Sequence, residues 1–187
     1  MTQAVRPMPE EMPVELWRGV KPSSSAGWKG SVVSIFVAAK SAEEMVSLSS
    51  VRALADRGLE GDRFFRDSWN AIDRSDKAVS FIEDEVLELA AEELGLESIA
   101  QKTRRNIVTC GVPLIDLLHR DFVVGGVRMR GIRLFEPCGH LVQVSKLPGI
   151  FKALHHRSGL KAAILSDGVI SVGNRIALDE GQVSAVG

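Results

Sequence analysis

Up to about residue 30 the apolar positions are scattered. Beyond it they recur in short blocks with two distinct periods. Val32-Val33-Ser34-Ile35-Phe36-Val37 is a β-branched and aromatic run bounded by Gly30 and Lys40-Ser41, which predicts a largely buried strand. Met45 to Ala55 fits neither period and stays ambiguous. Arg57-Gly58-Leu59-Glu60-Gly61-Asp62-Arg63 reads as a turn, because its two glycines allow unusual backbone angles. Ala78 to Ile82 is a second short apolar run. Ile82, Val86, Leu89, Ala90 and Leu94 then lie on one helical face. Glu83, Asp84 and Glu85 suit the positive end of that helix, and Gly95 suits its C-terminal stop. Ser80 and Glu83 have the spacing of a capping box, unless the apolar run is a strand reaching Ile82.

The second half reads as mostly β. Asn106 to Thr109 predicts a strand ending at Gly111. Phe122-Val123-Val124, Gly125-Gly126 and Val127 to Arg130 predict a hairpin. Arg128 and Arg130 share one face, and Arg133 joins them only if Gly131 forms a bulge. Leu147 to Arg157 suggests a short helix, with Gly159 just past its end. Ala162 to Leu165 and Val169 to Leu178 read as closing strands around an Asp167-Gly168 turn. Many short strands with one good helix predict a mainly β (α+β) fold, a compact β-barrel or folded sheet with peripheral helices. Residues 1–30 hold four of the seven prolines and Ser23-Ser24-Ser25. They predict a Pro/Ser-rich arm, anchored by Trp17 and Trp28, ahead of one domain over 31–187.

Composition narrows the function classes. Lys and Arg (23) balance Asp and Glu (24), which excludes the global charge of a nucleic-acid coat or a polybasic membrane binder. No apolar stretch reaches the length of a membrane span, and the start has no signal-peptide core. The expected location is the cytoplasm, with both cysteines reduced. Two cysteines without a CxxC form neither a disulfide framework nor a four-cysteine zinc site. No GxxxxGK[ST], GxGxxG or GxSxG occurs.

Cys138 is the first candidate for chemistry. It sits in Phe135-Glu136-Pro137-Cys138-Gly139-His140, where Pro and Gly hold a loop. Such a thiol is either exposed and reactive or a small buried hydrophobe at a strand end. Arg128, Arg130 and Arg133 are available to favour its thiolate. Cys110, beside Ile107, Val108 and Val112, is expected to pack in the core. His140 stands two residues from Cys138 as a possible base or metal partner. His155 and His156 are adjacent on the predicted helix, so they diverge and cannot both face one metal. His119 lies in an expected loop. Arg104, Arg105 and Asn106 open a strand, either as forked donors for an anionic, amide-bearing ligand or as a solvated strand start. Asp62 and Arg63 form either part of such a site or a turn clamp.

Taken in order, these short motifs resemble the MOSC domain, the C-terminal domain of molybdenum-cofactor sulfurases. The resemblance rests on Gly58-Leu59-Glu60-Gly61-Asp62-Arg63, Arg104-Arg105-Asn106-Ile107-Val108 with Gly111, Glu136-Pro137-Cys138, and Gly159-Leu160 with Gly168 and Gly173. It spans about Val32 to Leu178. It implies a β-barrel-like fold and a reactive Cys138 that carries sulfur as a persulfide or ligates molybdenum bound to molybdopterin. It further implies that Arg104, Arg105, Asn106, Asp62 and Arg63 line the cofactor or small-anion pocket. A sulfur-donor or electron-donor protein is the implied partner, with neither nucleic acid nor membrane. The alternatives are a molybdenum-dependent reductase of N-hydroxylated compounds with an external donor, and a non-catalytic anion or partner module. The pyridoxal-phosphate desulfurase domain of the sulfurases has no counterpart in these residues, so no pyridoxal-phosphate site is expected. His140 is not a feature of the family pattern.

Overall fold

The computed structural model describes residues 29–65 and 78–179. The expected arm, with Trp17 and Trp28, lies outside the described residues except for its last two. In chain order the elements are β1 (Gly30–Val37), β2 (Val46–Leu48), β3 (Ser50–Leu54), β4 (Gly58–Leu59), β5 (Val79–Glu83), α1 (Asp84–Leu94) and β6 (Ile107–Cys110). They continue with β7 (Asp121–Val124), β8 (Val127–Leu134), α2 (Gly139–Ser145), α3 (Ile150–Leu154), β9 (Leu160–Ile164), β10 (Gly168–Ser171) and β11 (Arg175–Leu178). Seven strands close a barrel in the order β1-β11-β7-β8-β9-β5-β6, with β6 returning to β1. β2 extends the far end of β1, and β10-β3-β4 form a small second sheet. The mainly β, barrel-like expectation therefore holds.

The two kinds of apolar pattern correspond to two kinds of barrel wall. In β1, β5 and β6, alternate side chains enter different cores. Ile35, Phe81 and Ile107 fill the barrel, while Phe36, Ile82 and Val108 pack under the helices. A wall buried on both faces needs a continuous apolar run. In the β7–β8 hairpin only one face is covered: Phe122, Val124, Val127 and Met129 point in, while Arg128 and Arg130 point out. Phe81 and Phe122 meet edge to face inside the barrel, with ring centroids 5.7 Å apart. β5 and β6 are parallel and are linked through α1, whose apolar side closes the second core.

The bulge in β8 occurs where Gly131 predicts it. Register shifts between Gly131 and Arg133, which leaves Arg133 exposed alongside Arg128 and Arg130. Gly131 also admits the Leu117 carbonyl, which a Cβ would strike. Gly159, at φ +99°, is pressed against the Phe81 carbonyl in the same way.

Several expectations need correction. Ile82 belongs to β5, so the helical face cannot be counted from it. α1 buries Val86, Leu87, Ala90 and Ala91, and Leu89 is 50% exposed. Glu83 ends β5 and precedes α1 without capping it, so no capping box forms. Met45 to Ala55 resolves into β2 and β3. The Leu147 to Arg157 helix shrinks to α3, and α2 is an addition. Asp167-Gly168 is not a hairpin turn, because β9 and β10 lie in different sheets. Its aspartate Oδ1 instead accepts the Ala55 N–H at 2.7 Å. Val169 to Leu178 divides into β10 and β11.

Glu83 is buried, and its Oε1 accepts the Leu114 N–H at 3.1 Å. Burial pushes its carboxyl up from 4.5 to about 7, against the backbone hydrogen bonds that favour its charge. Between those values the folded chain holds a proton that the unfolded chain has lost. This contribution is full below about 4.5 and is lost as pH rises through about 7. Denaturant midpoints measured across that window should fall with pH in the wild type, and Glu83→Gln should flatten the fall.

Candidate functional site

The turn at Gly58 to Arg63 is fixed by one buried carboxylate. Asp62 Oδ2 accepts the Ala38 N–H (3.3 Å), an Arg63 Nη1–H (3.2 Å) and an Asn106 Nδ2–H (3.1 Å), while Oδ1 accepts the Phe64 N–H at 3.1 Å. Asn106 is equally committed. Its Nδ2 also donates to the Phe36 carbonyl, and its Oδ1 accepts from the Ser80 N–H and hydroxyl. Both amide protons and both oxygen lone pairs are thereby used. The turn clamp and the strand start, read separately from sequence, are one network.

The three guanidiniums sit on this frame. Arg63 Nη2 donates to the Arg104 carbonyl at 3.2 Å. Arg104, in a left-handed backbone conformation at φ 61°, donates to the carbonyls of Glu43 (2.7 Å) and Lys40 (3.5 Å). Arg105 is fully enclosed. It donates to the Ser158 carbonyl (2.8 Å), the Thr103 carbonyl (2.9 Å) and the Ser158 hydroxyl, and it lies 3.5 Å over the Phe135 ring. Burial above all, with a smaller contribution from the nearby Arg63, lowers the Arg105 guanidinium to about 9. The Cys138 and Glu136 charges oppose that fall. Burial also lowers Arg63 and Arg104, each against the attraction of Asp62. The buried Arg105 guanidinium thus stands within electrostatic reach of Cys138.

Cys138 itself is exposed, with extended backbone immediately before α2. The charge facing it is Arg105. Arg128 and Arg130 are instead paired with Asp179 and Asp121 at 2.8 and 2.5 Å. His140 Nε2 lies 3.1 Å from the Ser41 hydroxyl. The expectation that Cys110 packs in the core is wrong. It is the last residue of β6 and is exposed, in a position the apolar layer does not cover. The Glu85 carboxylate, by charge and hydrogen bond, pushes its thiol up, and Asp84 and Glu88 add to the effect. The two thiols therefore differ by neighbouring charge rather than by burial.

The histidine expectation is also overturned. α3 ends at Leu154; His155 turns extended and His156 turns left-handed (φ 62°), so the rings do not diverge as on a helix. Their centroids are 3.5 Å apart, and both face Glu136. Glu136, Ser158 and Phe135 contact these groups, and the sequence analysis gave none of them a role of its own. The signal for Phe135 and Glu136 is their place in the segment that leads to Cys138; Ser158 has none.

The MOSC domain family profile matches residues 46–177. No curated protein sequence matches the chain. Among solved structures, the YuaD protein from Bacillus subtilis covers 80% of this chain and 97% of its own, at 15% identity and TM-score 0.63. YiiM from Geobacillus stearothermophilus covers 84% and 78%, at 22% identity and TM-score 0.64. YiiM from Escherichia coli covers 83% and 71%, at 18% identity and TM-score 0.60. At these identities the likeness is one of fold.

Removing the Asp62 carboxylate strands Arg63, Asn106 and two backbone N–H groups. Asp62→Ala should lower unfolding free energy by about 3–5 kcal/mol in chemical denaturation. In timed alkylation read by mass spectrometry, Cys110 should react more slowly than Cys138. Glu85→Gln should speed Cys110 while leaving Cys138 unchanged.

Proposed function

The chain belongs to the MOSC domain family, which is linked to the molybdenum cofactor, and on that premise we propose that it binds molybdopterin-type cofactor and carries sulfur as a persulfide on Cys138. The observation that carries this reading is the exposed Cys138 thiol set against the buried guanidinium of Arg105.

The residues present fit an anionic cofactor on charge grounds. Arg63 lies within electrostatic range of both Arg104 and Arg105, with Asp62 and Glu136 as the opposing charges. A phosphate-bearing ligand would offset the excess. In this reading Arg104 and Arg105 supply the attraction, and Arg63 shapes the pocket. Asp62 positions Arg63 and Asn106 holds Asp62, since the polar atoms of both are spent inside the fold. Cys138 is the group that would hold the metal. When bound, the cofactor supplies two-electron redox chemistry at molybdenum.

The chain's own step is simpler. The Cys138 thiolate attacks the outer sulfur of a persulfide on a donor protein. A new S–S bond forms, the donor's S–S bond breaks, and the donor leaves as a thiolate. Arg105 stabilises the thiolate before attack, and exposure lets the donor approach. The reading also places the protein in the reducing cytoplasm, where both thiols stay free.

The test loads purified protein with a persulfide donor and with molybdopterin-type cofactor. It then measures cyanide-releasable sulfur and bound molybdenum. The wild type should hold sulfur in proportion to chain, and Cys138→Ser should lose nearly all of it. Protein that takes up neither sulfur nor cofactor, with Cys138→Ser behaving identically, overturns the proposal. Stoichiometric molybdenum with reduction of a hydroxylamine by an added donor would select the redox alternative over sulfur carriage.

A further inference from the structure

We propose that Glu136, His155 and His156 form a binding site for a zinc-class divalent cation, separate from Cys138. One donor atom from each of the three residues lies within 4.8 Å of the other two. The edge between Glu136 Oε1 and His156 Nδ1 is 3.2 Å. Donors around a tetrahedral zinc at roughly 2.0–2.1 Å are separated by roughly 3.3 Å, so that edge already has the spacing of two ligands. His155 is exposed, and its nearest ring nitrogen already lies within 4.8 Å of the other two donors. To bind the ion, His156 presents Nδ1 unprotonated and carries its ring proton on Nε2.

The backbone prepares this arrangement. Glu136 Oε2 accepts the His156 N–H at 3.1 Å, which ties the left-handed residue to the segment leading to Cys138. Phe151 stacks on His155 with ring centroids 5.6 Å apart. The chemistry of the donor set then selects the metal. Two imidazoles and a carboxylate suit zinc, nickel or cobalt, and do not suit magnesium or calcium. Three protein ligands leave a coordination position open. Both histidines border a cleft of about 910 Å³, which has room for water or a small anion at that position. Two cations share the cleft. Arg157 is neutralised by Glu93 at 2.6 Å, while the exposed Lys152 favours an anionic fourth ligand.

The test is calorimetric titration of the full chain with zinc chloride, with magnesium chloride as the control. Binding of one zinc per chain and none of magnesium is expected. His155→Ala alters an exposed side chain and leaves the fold intact. It should weaken zinc binding by at least about 100-fold, more than the loss of an outer-sphere partner. Glu136→Gln and His156→Gln should do the same, with circular dichroism confirming that they fold. Cys138→Ser should retain wild-type affinity, even if it abolishes sulfur loading, so the two proposals fail separately. Zinc binding that survives all three ligand variants, or that is lost in Cys138→Ser, overturns the site.

Discussion

The side chain of Asn106 is the constraint on which the site depends. It reaches β1 through the Phe36 carbonyl, β5 through Ser80, and the glycine turn through Asp62. A buried amide left half satisfied would cost more than its bonds return, so all three elements must be in place together. Asn106 immediately precedes β6, and Arg104 and Arg105 precede it in turn. Fixing its position therefore fixes where two guanidiniums enter the interior. The left-handed residue Arg104 then turns the chain so that the two neighbours diverge. Arg104 reaches the carbonyls of the β1–β2 connection, while Arg105 reaches Ser158 just ahead of β9.

Burying Arg105 is costly, and its surroundings show how the cost is met. Carbonyls and a hydroxyl take its protons, and the Phe135 ring covers one face. None of these partners is anionic. The anions in range are Glu136 and the ionised form of Cys138. A guanidinium without its own buried carboxylate attracts whatever negative charge lies near. In this fold the nearest such groups are a thiol open to solvent and a glutamate bound to a histidine. The same positive charge that makes Cys138 a candidate nucleophile thus also bears on Glu136. Each proposed occupant of this region adds or removes charge in the field of Arg105.

The barrel was legible in the sequence wherever its walls impose a clear period. The continuous apolar runs at Val32 and Ala78 mark strands buried on both faces, and the Val127 to Arg130 alternation marks one buried on a single face. The phase of α1 was lost because Ile82 looks helical by spacing but serves β5. Leu87 and Leu89 therefore exchanged roles. Cys110 has apolar neighbours in sequence, yet it ends β6 beside the acidic first turn of α1 and is exposed there. The histidine pair fails for a similar reason. Helical divergence holds only while the helix continues, and two dihedral changes after Leu154 reverse the geometry. Composition and spacing carry the period of an element well. They carry poorly the residue at which it stops, and in this chain the chemistry gathers at those stops.

That tendency has a structural origin in the segment after β8. Leu134 is the last residue of β8 and pairs with Leu160 of β9. Phe135 then donates its N–H to the Gly159 carbonyl at 2.7 Å and lays its ring against Arg105. Glu136 engages His156, Pro137 is buried, and Cys138 emerges into solvent. Four successive residues thus serve four surroundings, and their assignment is set by the β8–β9 register. That register is in turn set by the bulge at Gly131, where one residue is taken up without a partner. Without the bulge, every following residue would shift by one position against β9. Leu134 would take the place of Phe135 over the guanidinium, and Pro137 would stand where Cys138 emerges. The bulge in the strand that leads to Phe135 therefore sets where Glu136 and Cys138 stand.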